Sequence, residues 1–127
     1  MRDIPQLVID FLKEREGLVL RVYDDQQPNV TLTPSVRILG KLTAGYGHTS
    51  DDLKVGQLVT IADADNWLIN YDLPVARKRL YDAVGADAID TLTVHQYAAL
   101  LAFVINLGAK ADWTIWKRIK AKQFDQV

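Results

Sequence analysis

The chain has no cysteine, one methionine, four prolines, two histidines and no long hydrophobic run. Without cysteine it can form no disulfide, no thiolate metal site and no cysteine nucleophile, although the redox compartment stays open. The two histidines, His48 and His95, are far apart in sequence and make no persuasive metal centre. No apolar stretch approaches the roughly 18 residues of a membrane span. Met1-Arg2-Asp3 also lacks the basic-then-apolar order of a secretory signal. Net charge is scarce too: 15 basic against 16 acidic residues leave −1, which gives no reason to expect nucleic acid as a partner. The expectation is a soluble chain with no export signal of its own, no stable membrane insertion, no metal and no cofactor.

What is present is ordinary for a globular protein. Hydrophobic residues make up 49% and charged residues 24% of 127 positions, one domain's worth. Such a chain buries about two-thirds of its unfolded surface, enough for a core without covalent staples. The charge is uneven: Lys110, Lys117, Arg118, Lys120 and Lys122 face only Asp112 and Asp125 at the end of the chain. A solvated helix face is the default reading, and contact with an anionic polymer the alternative.

Ile4, Leu7, Val8, Phe11 and Leu12 follow a helical period, which predicts a helix over 3–15 with Asp3 as cap and Gly17 at its end. Residues 18–49 change to alternating apolar and polar positions between Pro, Asn and Gly. Within them, 30–33 and 36–39 around Pro34-Ser35 predict a hairpin. From Thr60 the helical period returns; Pro74 should kink or divide that segment and Gly85 should end it. Thr93 and Gln96 form a capping box before the apolar run 97–107, which stops at Gly108, so 94–107 is expected to be a buried central helix. A last helix is expected over 113–123. The layout is α+β: a small antiparallel-sheet lobe and a larger helical lobe, with the ligand groove between them.

Two carboxylates stand out. Glu16 closes the first helix and Asp25 follows the first strand, nine positions on. Glycosidic cleavage needs such a pair: an acid kept protonated by an apolar site, and an ionised partner that attacks the sugar or activates water. Surface charge is the plain alternative for each.

The context of these acids is more specific. Glu16-Gly17-Leu18-x-Leu20-x-x-Tyr23-x-Asp25, followed by Leu42-Thr43-Ala44-Gly45-Tyr46-Gly47-His48-Thr49, resembles the phage-type lysozymes, or endolysins, of glycoside hydrolase family 24. The resemblance continues through 60–73 and through 92–119, so it covers nearly the whole chain. It implies a lysozyme-like single domain over 1–127, with a small lobe at about 16–59 and a helical lobe from 1–15 and 60–127. It also implies hydrolysis of the β-1,4 bond between N-acetylmuramic acid and N-acetylglucosamine in peptidoglycan, for phage or prophage host lysis. Made in the host cytoplasm, such an enzyme would reach the wall with the help of a membrane-permeabilising partner.

Carried over by position, Glu16 is the general acid, Asp25 the second carboxylate and Thr43 the residue that holds the attacking water, an inverting arrangement. The nine-position step selects Asp25 over Asp24, and strand alternation turns the two to opposite faces. The family's usual count from Asp to Thr would land on Thr31, but the Gly-Tyr-Gly-His motif flanks Thr43, and loops accept insertions at little cost. Residues 26–41 then read as a lengthened hairpin at the groove's rim, contacting peptide stems or merely tolerated. Tyr46, His48, Thr49 and Asn106 are implied as substrate-binding. The alternatives are a hydrogen-bonding role for His48 and a helix-tying role for Asn106. Trp67, Trp113 and Trp116 are expected in the core rather than stacked on sugars.

Two departures from the family stand out. Ala44 replaces a branched apolar residue, and the sequence reaches Val127 where relatives continue through further helices. An end there would expose the 94–107 helix and favour self-association. The competing functions are an inactive lysozyme-like module that binds peptidoglycan or a protein, and a lytic transglycosylase that needs no Asp25.

Overall fold

The computed structural model describes residues 1–107. Gly108, the expected helix over 113–123, Trp113 and Trp116 lie outside the described residues. The chain divides into two compact units, Phe11–Tyr71 and Met1–Asp10 with Asp72–Val127.

The first unit is built on a three-stranded antiparallel sheet in the order β1-β2-β3: β1 is Val19–Asp24, β2 Leu42–Gly45 and β3 His48–Thr49. Helix α1 (Gln6–Glu16) ends just before the sheet, where Gly17 takes a left-handed conformation at φ 68°. The helix begins at Gln6, not at residue 3, so Asp3 lies outside its first turn. Pro5 explains the difference, because the residue before a proline is driven out of the helical region.

The register pairs Tyr23 with Thr43, Asp24 with Leu42, Thr43 with Thr49 and Ala44 with His48; an irregularity lies between Val19 and Tyr23. Directly opposed residues share a face. One face therefore carries Tyr23, Thr43 and Thr49, and the other Asp24, Leu42, Ala44 and His48. The second face turns to the core, where Val22, Ala44, Leu53 and Val59 are buried with Leu42 and Trp67 packed against them. Helix α2 (Ile61–Trp67) covers it, capped by Thr60 and Asp63 bonding reciprocally at 3.0 Å. Gly45 allows this close approach: a β-carbon there would stand 3.1 Å from that of Ala64.

The expected hairpin over 30–39 is not formed. Residues 25–41 run through turns, including Val30 N–H to Gln27 O and Val36 N–H to Thr33 O at 3.0 Å each. A buried carboxylate organises this loop instead. Asp24 Oδ1 accepts from the backbone of Gln26 and Gly40, and Oδ2 from the backbone of Leu39 and the amide of Gln27. A 26–40 segment tied at both ends to one side chain has no need of a cross-strand ladder.

The segment from Thr60 is divided next to Pro74, as expected. The backbone widens into a π-helical turn over Leu68–Asp72 and continues as α3 (Leu73–Val84), with the proline in its first turn, where a missing N–H costs nothing. Gly85 ends α3 at φ 85°.

In the second unit α3 packs with α5 (Val94–Leu107), joined by a short helix, α4 (Ala86–Asp90), that the periodicity did not announce. The capping box opens α5 as expected, with Thr93 and Gln96 bonding reciprocally at 2.8 and 3.1 Å. Tyr97, Leu101 and Val104 of α5 are fully buried, as are Leu73 and Leu80 of α3. Arg2 is bound into this unit. Its guanidinium donates to Ile89 O and Leu92 O, and its carbonyl accepts from the Tyr97 hydroxyl at 3.1 Å.

Candidate functional site

The site can be built from the end of α1 and one face of the sheet, all within the Phe11–Tyr71 unit. Glu16 is the last residue of α1, and its carboxylate lies against the turn between β2 and β3. A β-carbon on Gly47 would stand 3.4 Å from Glu16 Oε2. Gly47 holds a left-handed φ of 77°, which the tight turn requires and an L side chain disfavours. Lys13, one turn before Glu16, pairs with Asp65 of α2 at 2.9 Å and lies 5.6 Å from the centre of the Tyr46 ring. Both contacts steady the end of α1. Glu16 itself is exposed, so the apolar surround expected for an acid is not found at this residue. The helix ends with it and the chain turns away at Gly17.

Asp25 extends the ladder one step past β1. Its N–H donates to Lys41 O at 3.1 Å, and its Oδ1 accepts from Lys41 N–H at 2.8 Å. It is exposed, whereas its neighbour Asp24 has no exposed surface, the opposition that strand alternation predicts. Burial opposes ionisation of Asp24, yet bonds from Leu39, Gln26, Gln27 and Gly40 outweigh it and hold the carboxyl below its ordinary pKa. Asp24 thus serves the loop.

Thr43 lies in the central strand with little exposed surface. Its hydroxyl donates to Lys41 O at 3.2 Å and lies 3.3 Å from Thr49 Oγ1. Thr31 is in the exposed loop, outside any strand. Between the two carboxylates comes a residue to which no role was assigned, Tyr23, opposite Thr43. Burial, then the charges of Glu16 and Asp25, push its phenol above the ordinary value, while Arg21 works the other way. Tyr23 thus stands on the Thr43 face of the sheet, with both acids raising its pKa. The signal in the sequence was the alternation itself, since Tyr23 stands two positions before Asp25.

The other candidates separate. Thr49 shares the Tyr23 and Thr43 face, and Tyr46 lies in the adjoining turn. His48 is on the opposite face, stacked on Trp67 with centroids 4.7 Å apart, beside a cavity of about 320 Å³ that Ser50, Asp52, Gln57, Asn66 and Tyr71 also line. Asn106 belongs to the last turn of α5, in the second unit. Among the described residues no three His, Asp or Glu side chains gather as a metal site would require. No helix among them is long and apolar enough to cross a membrane.

The chain is similar to a SAR-endolysin of Bacteriophage PS119, 31% identical over 86 residues; the match covers 68% of this chain and 48% of that relative, so the chain spans about half the relative's length. Among solved structures, it resembles a P22 lysozyme variant at 25% identity and a TM-score of 0.70, covering 99% of this chain and 79% of that one. It also resembles an endolysin from Escherichia coli O157:H7 phage FAHEc1 at 25% identity and 0.72, covering 95% and 69%. The muramidase domain of SpmX from Asticaccaulis excentricus shares the fold at 24% identity and 0.74, covering 99% and 75%. These neighbours establish a lysozyme-like α+β fold. Residues 13–127 match the Phage lysozyme family, and with the site motifs inside that span, the chain belongs to the phage lysozyme family.

Proposed function

We propose that this chain is a muramidase that hydrolyses the β-1,4 bond between N-acetylmuramic acid and N-acetylglucosamine in bacterial peptidoglycan, during phage host lysis. The observation that carries this reading is the arrangement around one sheet: Glu16 against the β2–β3 turn at Gly47, Asp25 continuing β1 and bonded to Lys41, and Thr43 in the central strand. Family membership supports the substrate class.

In this reading Glu16 donates its proton to the glycosidic oxygen as the bond to C1 breaks. Asp25 stays ionised, stabilises the positive charge growing at C1 and receives a proton from the attacking water. The Thr43 hydroxyl gives its own hydrogen to Lys41 O, which leaves its lone pairs to accept one from that water. Attack from the far side inverts the anomeric carbon, and solvent then restores the protons. Thr49, on the Tyr23 and Thr43 face, and Tyr46, in the adjoining turn, would meet the sugar; a substrate-binding role for His48 and Asn106 rests on the family resemblance alone. The enzyme would act on the wall after a partner has permeabilised the membrane.

The test is release of soluble muropeptides from purified peptidoglycan by the wild type and by Glu16→Gln. Release by the wild type alone supports the reading, and new reducing ends identify hydrolysis. Binding to the wall without release by either would favour a binding module. Undiminished activity of Asp25→Asn, with anhydro products, would favour a transglycosylase.

A further inference from the structure

We infer that Asp24 is a positioning residue for the second carboxylate, acting through Gly40 and Lys41, and that position 40 must be glycine for this reason. The inference rests on the muramidase reading and concerns the same site.

Asp24 spends its whole carboxylate on both ends of one loop. Oδ1 accepts from Gln26 N–H and Gly40 N–H at 3.0 Å each; Oδ2 accepts from Leu39 N–H at 2.6 Å and from the Gln27 amide at 2.9 Å. Four donors on an anion with no exposed surface make a stiff clamp, because charge-assisted bonds are the strong ones. The clamp delivers the returning chain to Asp25. Lys41 N–H donates to Asp25 Oδ1 at 2.8 Å, and Lys41 O receives Asp25 N–H.

Gly40 closes the arrangement. A β-carbon there would overlap Asp25 Oδ1 and Gln26 Cγ and stand 3.0 Å from Asp24 Oδ1. Gly40 is not among the glycines with positive φ, so its conformational freedom is not what the site uses. Close approach is: the Asp25 carboxylate is held between the Lys41 N–H and the bare Cα of Gly40. An exposed aspartate would otherwise rotate among its staggered states. Misplacing a reacting group by about 1 Å can cost on the order of 10²-fold in rate.

The experiment uses Gly40→Ala, whose methyl displaces the Asp25 carboxylate and Gln26 Cγ, both on exposed side chains that can swing into solvent, so the fold should stay intact. On a soluble peptidoglycan oligomer, kcat should fall about 10²-fold, with KM and the unfolding midpoint near wild type. Added to Asp25→Asn, the same substitution should lower kcat no further. Asp24→Asn should lower kcat likewise. An activity-independent readout is the amide proton of Lys41, whose carboxylate-bonded shift should be lost in both Gly40→Ala and Asp24→Asn. Unchanged kcat in Gly40→Ala, an equal loss in the Asp25→Asn background, or an unmoved Lys41 amide would each overturn the inference. An inactive wild type in which the Lys41 amide still responds would instead overturn the muramidase reading.

Discussion

The Glu16 carboxylate lies against Gly47, at 3.4 Å from where a β-carbon on that glycine would be. That distance is ordinary van der Waals contact, so a methyl group would fit beside the acid. The cost of Gly47→Ala is therefore backbone strain at a φ of 77°, roughly 1–2 kcal/mol. Chemical denaturation should show that loss while kcat falls by less than about tenfold, a difference of under 1.4 kcal/mol. A collapse of kcat at unchanged stability would mean that Glu16 is displaced by the methyl.

Thr43 and Thr31 offer a direct contrast. Thr43→Val keeps the shape and removes the hydroxyl that donates to Lys41 O. It should lower kcat by about 10²-fold, the scale on which proton-handling groups act. Thr31→Val, in the exposed loop, should leave kcat within about twofold, since surface changes away from the site are near neutral. The reverse ranking would return the water-holding role to Thr31.

Acid should loosen the 26–40 loop through Asp24. Its native pKa is below the ordinary 3.8, so folding favours the ionised form. That stabilisation is present above pH 3.8 and is lost as pH falls through the lower native value. Urea midpoints between pH 7 and pH 2 should decline less steeply in Asp24→Asn than in the wild type. Parallel curves would remove Asp24 from the acid response.

Alkali should act through Tyr97. Burial, the Tyr81 phenol and a bond to it raise its pKa from 10.0 to about 12, with Arg77 and Arg2 opposing. Folding favours the neutral phenol, so its contribution is complete below pH 10 and is lost as pH rises toward 12. Tyr97→Phe removes the bond to Arg2 O and should cost about 1 kcal/mol at neutral pH. The gap between the two proteins should narrow from pH 10 to 12 in thermal melts.

The sequence by itself determined what depends on near neighbours. The capping box at Thr93, the helix start at Thr60 and the helix stops at Gly17 and Gly85 involve residues within a turn of each other, so spacing alone revealed them. The Glu16, Asp25 and Gly-Tyr-Gly-His pattern was legible for the same reason, as was the turning of Asp24 and Asp25 to opposite faces. Tertiary structure decided the rest. Strand propensity over 30–39 suggested a hairpin, but Asp24 reaches Leu39 and Gly40, fifteen and sixteen positions away, and four bonds to one buried anion outweigh a weak local preference. The π-helical turn before Pro74 is a backbone adjustment that no residue count predicts. Register, too, belongs to the fold: pairing Ala44 with His48 sends the histidine to Trp67, while pairing Tyr23 with Thr43 puts the phenol and the threonine on one face. Pairing energy accrues between strands distant in sequence, and a shift of one residue would exchange the two faces.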